Sequence, residues 1–80
     1  MPKFTFDDTV RVLPSAPAES RPGQLASVIM IFSPSERSGR FFDRFPEGIV
    51  YSIEFEDGEA ILIHEDLLVK DWFPSEREQN

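Results

Sequence analysis

Cysteine is absent from this chain, and histidine, tyrosine and tryptophan each occur once. Without cysteine there is no disulfide framework and no thiolate metal site. A single histidine offers no cluster of metal ligands, and the four glycines stand singly, so a phosphate-binding loop is missing too. The serines lack the neighbouring base that a catalytic triad needs. We therefore predict that the protein is not an enzyme and that it binds no cofactor.

Long hydrophobic runs are missing as well. The longest, Val28–Phe32, is far shorter than the roughly 20 residues that cross a bilayer. The first residues, MPKFTFDD, lack the apolar stretch of a secretory signal. We expect a soluble, cytoplasmic, bacterial protein without a membrane partner.

Basic residues are scarce, since 8 Lys and Arg stand against 15 Asp and Glu and leave a net charge of −7. Nucleic-acid affinity comes mostly from Lys and Arg that neutralise phosphates, so we expect no nucleic-acid partner. Two interpretations of the acidity stay open at this point. It serves solubility, or it complements a basic partner protein.

The stretch Ile49–Leu68 predicts a β-hairpin, because Asp57-Gly58 joins two apolar runs. A two-residue type I′ turn there would place Phe55 opposite Ala60 and Tyr51 opposite His64. The face predicted to be core carries Tyr51, Ile53, Phe55, Ala60, Leu62 and His64. The opposite, mixed face carries Ser52, Glu54, Glu56, Glu59, Ile61 and Ile63.

Five short strands separated by loops rich in proline and glycine predict an all-β fold. The strands are expected at Thr9–Leu13, Leu25–Phe32, Ile49–Glu56, Glu59–His64 and Val69–Phe73, with a 3₁₀ turn at His64–Leu68. Two long loops, Pro14–Gly23 and Ser33–Gly48, connect the first three. This order resembles a small SH3-like antiparallel barrel, as one domain over residues 1–80, with a core over about 6–73 and a frayed tail at 74–80. The unbroken Val28–Phe32 run predicts burial on both faces or a strong bend.

The loop Ser33–Gly48 has an unusual composition. Three of the eight basic residues and three of the eight phenylalanines lie in it, namely Arg37, Arg40, Arg44, Phe41, Phe42 and Phe45. One interpretation is that the loop folds back and caps an open end of the barrel. The other is an exposed aromatic patch ringed by arginines, which is the composition of an interface hot spot.

The carboxylates of Glu54, Glu56, Asp57 and Glu59 gather at the hairpin tip. They are either a solvated acidic edge or a patch that meets Lys and Arg of a partner. A hairpin tip offers no cleft for a glycosidase pair, and FEDGEA lacks the spacing of a calcium loop. His64 is expected to be a rim histidine bonded to a loop. An acid–base role would need a cleft that holds it beside two carboxylates.

Three segments carry a resemblance to known families, and they read FDDTVRV, RPGQLASVIMIF and YSIEFEDGEAILIHEDLL. Over residues 6–69 this order is similar to that of SH3-like immunity proteins of polymorphic toxin systems. It also resembles the barrel of the nitrile hydratase β-subunit and its stand-alone relatives. The first resemblance implies an inhibitor of a toxin, and the second implies an accessory domain that associates with an enzyme subunit or with itself.

From these observations we expect a non-catalytic protein-binding module, an immunity-type inhibitor that occludes a cognate basic toxin. The expected contact residues are Phe41, Phe42, Arg44, Phe45, Glu54, Glu56, Asp57, Glu59, Ile61 and Ile63. The alternative is an accessory or self-associating barrel, a homodimer for instance, that uses Ile61, Ile63 and the phenylalanine loop. A third hypothesis is a methyl-lysine or methyl-arginine reader with a cage of Tyr51, Phe41 and Phe42.

Overall fold

The computed structural model describes residues 1–70, so the predicted end of the last strand at Trp72 and Phe73 and the tail at 74–80 lie outside the described residues. The strands are β1 (Thr9–Val12), β2 (Leu25–Phe32), β3 (Val50–Phe55), β4 (Ala60–His64) and β5 (Leu68–Lys70). Short 3₁₀ turns lie at Ala18–Ser20, Pro34–Glu36, Arg40–Phe42 and Glu65–Leu67. No helix within residues 1–70 has the length and hydrophobicity to cross a membrane.

All five strands belong to one antiparallel sheet in the order β4-β3-β2-β1-β5. A tight hairpin joins β3 to β4, and a 3₁₀ turn leads from β4 into β5 on the far side of β1. The predicted all-β, SH3-like barrel with two long loops is therefore confirmed.

The core lies on one face of the bent sheet. Alternate residues of each strand point into it, as the pleat requires. Its buried members are Phe4, Val10, Val12, Ala16, Ala26, Val28, Ile49, Tyr51, Ile53, Phe55, Ile63 and Leu68. Phe4 extends the core beyond the predicted start at residue 6. Phe6 is exposed, because the chain turns between Thr5 and Asp8.

A β-bulge explains the apolar run in β2. Val28 pairs with Ile53 and Met30 with Ser52, so Ile29 is the extra residue. The bulge bends the strand and exchanges the faces of the residues after it. Ile31 therefore packs against the core, while Met30 is exposed. The predicted bend in this run is confirmed.

The hairpin register is the main correction to the sequence-based expectation. Gly58 N–H donates to the Phe55 carbonyl (2.9 Å) and Phe55 N–H donates to the Glu59 carbonyl (2.8 Å), so the loop has three residues instead of two. Gly58 has a φ of +89°, the left-handed conformation that closes a type I turn with a bulge.

This one-residue shift turns β4 over. Ile61 now lies opposite Ile53 and Ile63 opposite Tyr51, whereas His64 pairs with Val50 on the outer face. Ile63 is 1% exposed and Ile61 packs against the core, so the prediction that they form a contact surface is wrong. The physical reason is that this register directs Ile61 and Ile63 into the core in place of Ala60, Leu62 and His64, of which Ala60 is small and His64 is polar.

Two truncations in β4 test the register. We expect Ile63→Ala to lower the free energy of unfolding by about 3 kcal/mol, because it removes a fully buried side chain from the core. Leu62→Ala, on the outer face, should cost clearly less. Urea unfolding of both variants measures the difference, and a larger loss for Leu62→Ala would contradict the three-residue loop.

Candidate functional site

The loop of residues 33–48 is folded rather than loose. It begins with the 3₁₀ turn Pro34–Glu36, which the Glu36 side chain closes by accepting from both Ser33 N–H (2.9 Å) and the Ser33 hydroxyl (3.0 Å). A second 3₁₀ turn follows at Arg40–Phe42. The long connection thus contains local structure of its own, as functional loops of this length commonly do.

Arg37 holds this loop together. Its Nη1 donates to the carbonyls of Pro46 (2.6 Å) and Gly48 (2.8 Å), and its Nη2 donates to those of Phe42 (2.8 Å) and Phe45 (3.0 Å). One guanidinium therefore donates to four backbone carbonyls, none of which is paired in the β-sheet. The planar, always charged fork of arginine is suited to this task, and the sequence alone did not distinguish Arg37 from Arg40 and Arg44.

The three phenylalanines of the loop have different surroundings. Phe42 packs against Phe32 of β2, with ring centroids 5.1 Å apart, and Phe45 is half-buried. Phe41 meets the Phe42 ring edge-on at 5.9 Å, yet 63% of it is exposed. Phe42 therefore packs on the outer face of the sheet and Phe41 faces solvent, and a role of the loop as an interface stays a prediction.

Beneath the loop, the outer face of the sheet carries a small second buried layer. Val50 is fully buried there, apart from the main core, and His64 is 5% exposed. His64 Nε2 is 2.8 Å from the Glu47 carbonyl, and Nδ1 accepts from Asp66 N–H (3.0 Å). Gly48 lies so close that a Cβ there would come within 2.9 Å of Nε2. His64 is thus bonded to a loop as predicted, but on the face opposite Tyr51.

A groove of about 470 Å³ runs between the two long loops. Pro17 and Glu19 line one side, Phe45 and Pro46 the other, and Leu62 belongs to its lining as well. His64, Glu19 and Asp66 share this groove, which is the cleft that an acid–base role would require. Both ring nitrogens of His64 are within hydrogen-bond distance of backbone groups, the Glu47 carbonyl and the Asp66 N–H.

The hairpin tip is partly neutralised from within the protein. Arg21, in the first long loop, contacts both carboxylate oxygens of Asp57 at 3.1 Å, and its guanidinium lies 4.6 Å from the centroid of the Phe55 ring. The hydrogen bonds from Arg21, and then the Glu59 N–H, hold the pKa of Asp57 below its usual value. Asp57 therefore ties two loops together, although 56% of its side chain remains exposed.

Three other acidic residues of the hairpin remain available. Glu54, Glu56 and Glu59 are exposed, and their carboxylates form no hydrogen bond or ion pair within the described part of the chain. They lie at the end of β3 away from the loop of residues 33–48. Between Val50 and Phe55 the strand rises by about 17 Å. The predicted contact residues are therefore split between two ends of the sheet.

The predicted aromatic cage does not form. Tyr51 is fully buried on the inner face, and Phe42 lies against Phe32. An aromatic cage needs several rings that converge on a cation from solvent. Phe41 and Phe42 are in contact with each other, but Tyr51 lies on the other face of the sheet, so the three rings do not converge.

Tyr51 belongs to a buried polar group that anchors the N-terminal segment. Its hydroxyl donates to Glu65 Oε2 (2.5 Å) and accepts from Phe4 N–H (3.2 Å), while Lys3 N–H donates to the same Glu65 oxygen (2.9 Å). Burial, and then the Glu65 carboxylate, raise the pKa of Tyr51 from 10.0 to about 12. Burial opposes ionisation of Glu65, but the hydrogen bonds from Tyr51 and Lys3 outweigh it and lower the pKa of Glu65.

Comparison with protein-family models, with curated proteins and with solved structures finds no match to this chain. Among residues 1–70, no group of three or more His, Cys, Asp and Glu side chains is placed to hold a metal ion.

The role of Arg37 is tested by limited trypsin digestion. Arg37→Lys keeps the charge and the trypsin site but loses the planar fork, so at most part of the four hydrogen bonds survives. We expect cleavage after Arg40 and Arg44 to become about tenfold faster, because the loop opens more often. Mass spectrometry of the fragments locates the cuts. Arg40→Lys is the matched control, and equal rates in the two variants would contradict the role given to Arg37.

Ionisation of the Tyr51 hydroxyl at alkaline pH is expected to lower the free energy of unfolding. Since the folded pKa is raised, the stabilisation is fully present below pH 10.0 and is lost as the pH rises towards 12. Tyr51 is the only tyrosine, so ultraviolet absorbance of the phenolate reports it directly. We expect a midpoint near 12 in the folded protein and about 10 in urea. A midpoint near 10 in the folded protein would contradict the buried pairing with Glu65.

For Glu65 the pH dependence runs in the opposite direction, because protonation of its carboxylate at acidic pH lowers the free energy of unfolding. Its folded pKa is lowered, so its stabilisation is present above the unfolded value and is lost as the pH falls through the folded one. We expect Glu65→Gln to flatten the loss of stability on acidification below about pH 4.3, measured by urea unfolding. An acid dependence as steep as that of the unaltered protein would contradict this role.

Proposed function

We propose that this chain is a non-catalytic protein-binding module, and specifically an immunity-type inhibitor that occludes a cognate basic toxin. The observation that carries the proposal is the folded loop of residues 33–48, which presents an exposed Phe41 on a frame held by Arg37. An aromatic side chain on a rigid frame loses little entropy on binding, and such residues dominate the energy of protein interfaces.

Charge supplies the second part of the proposal. The net charge of −7 and the three unpaired carboxylates of Glu54, Glu56 and Glu59 favour approach to a basic surface. Complementary charge raises association rates more than it raises affinity. Toxins that act on nucleic acid need basic clefts, so an acidic inhibitor complements them. The resemblance to SH3-like immunity proteins supports the same function.

The two ends of the molecule would have different roles in such a complex. The loop of residues 33–48 would anchor the toxin, and the hairpin tip would steer it. Their separation of about 17 Å along β3 is compatible with a single interface, since a standard one covers about 800 Å² on each partner. Asp57 has no direct part in this mechanism, because Arg21 occupies its carboxylate.

The alternative is an accessory or self-associating barrel. Its expected surface included Ile61 and Ile63, which belong to the packed side of β4, so only exposed residues such as Phe41 and Met30 remain for it. Affinity capture of the tagged protein from its source cells, with the native mass recorded in parallel, separates the two functions. A stoichiometric basic partner supports the inhibitor. A homodimer without a partner supports the alternative.

A double charge-reversal variant tests whether the hairpin carboxylates speed association with the partner. With the captured partner, we expect Glu54→Lys with Glu56→Lys to slow association by about tenfold or more at low salt, and the difference should shrink as salt is added. The control is Glu19→Lys with Asp66→Lys, which changes the net charge equally but in the groove at the other end of β4. Stopped-flow fluorescence measures the rates. Equal slowing in the two double variants would show that net charge alone matters and would contradict the role of the hairpin.

A further inference from the structure

Arg44 is held by aromatic rings instead of hydrogen bonds. Its guanidinium carbon lies 4.7 Å from the centroid of the Phe45 ring and 5.5 Å from that of Phe41. Within residues 1–70 its side chain forms no hydrogen bond or ion pair, although Asp43 and Glu47 are close in sequence. Ring contact occupies a face of the planar group and leaves its N–H edge open to a ligand.

The platform under Arg44 is fixed. Arg37 donates a hydrogen bond to the Phe45 carbonyl. The Phe41 ring contacts the Phe42 ring edge-on, and Phe42 packs against Phe32. Arg40, in the same loop and equally exposed, has no ring contact of this kind. Arg37 uses its two terminal nitrogens on backbone carbonyls. Of the three loop arginines, Arg44 alone combines a fixed position with a free donor edge in the described structure.

We infer that Arg44 binds a carboxylate of the partner, an Asp or Glu side chain that arrives with an apolar neighbour packed on Phe41. A carboxylate accepts two parallel N–H bonds from the fork of an arginine, which gives geometric specificity as well as energy. Arg44 itself lines the groove together with Glu19 and Asp66, and these two negative charges repel an anion inside the groove. The carboxylate therefore approaches from the Phe41 side, outside the groove.

This inference rests on the proposed function and adds the chemistry of the partner to it. The partner would present a basic patch to Glu54 and Glu56 and, at the other end of the interface, a carboxylate to Arg44. Two charges of opposite sign at the two ends of β3 permit one docking orientation and penalise the reversed one.

Small peptides test the site without the partner. The probes are N-acetyl-Leu-Glu-Leu-amide and the same peptide with Gln in place of Glu, titrated while the side-chain Nε–H signals of the arginines are followed by NMR. We expect the Glu peptide to shift the Arg44 signal saturably and to bind about fivefold or more tightly than the Gln peptide. Arg40 is the internal control. Arg44→Lys should abolish the preference for Glu, because lysine keeps the charge but has no fork.

Other outcomes overturn the inference. Equal binding of the two peptides, no binding of either, equal shifts at Arg40 and Arg44, or a preference for Glu that survives Arg44→Lys would each show that Arg44 is not a carboxylate site. None of these results touches the proposed function, which is tested at the hairpin tip with the partner itself.

Discussion

The three-residue turn at Glu56–Gly58 determines which side of β4 faces the core, and much of the molecule depends on that choice. With Gly58 in the left-handed conformation, Ile61 and Ile63 join the inner face, and Leu62 and His64 turn outward. The loop of residues 33–48 packs on this outer face, where the Glu47 carbonyl lies 2.8 Å from His64 Nε2. A turn shorter by one residue would move Ile61 and Ile63 to the outer face and turn Ala60, Leu62 and His64 towards the core, so the fold and the candidate site depend on the same turn.

The loop of residues 33–48 shows how a long connection becomes a defined surface. Two interactions hold it: the Arg37 guanidinium gathers four carbonyls, and Phe42 stacks on the sheet beneath. Apolar packing fixes the position of the loop, while the hydrogen bonds fix its internal shape. The division leaves Phe41 and Arg44 exposed on an ordered frame, which is the arrangement that would lower the entropic cost of the proposed binding.

Charge is distributed unevenly along the sheet. The hairpin end has the carboxylates of Glu54, Glu56 and Glu59, which are unpaired within residues 1–70, whereas the loop end has the exposed arginines Arg40 and Arg44. Arg21 moderates the acidic end by pairing with Asp57, and it links the first long loop to the hairpin. Under the proposed function, the hairpin end would supply long-range attraction and the loop end short-range contact, so the two would lie in different parts of the surface.

The sequence predicted the all-β class, the approximate bounds of the strands and the unusual character of the loop of residues 33–48, and it left open whether the apolar run of β2 is bent or buried on both faces. Local patterns of apolar residues, proline and glycine carry that information. It did not determine the hairpin register, because Asp57-Gly58 suits both a two-residue and a three-residue loop, and burial of Ile61 and Ile63 decides between them. Nor did it distinguish Arg37 from Arg44 or Asp57 from Glu54. Those roles depend on Arg21, Phe32 and His64, which are distant in sequence, so only the tertiary structure brings the partners together.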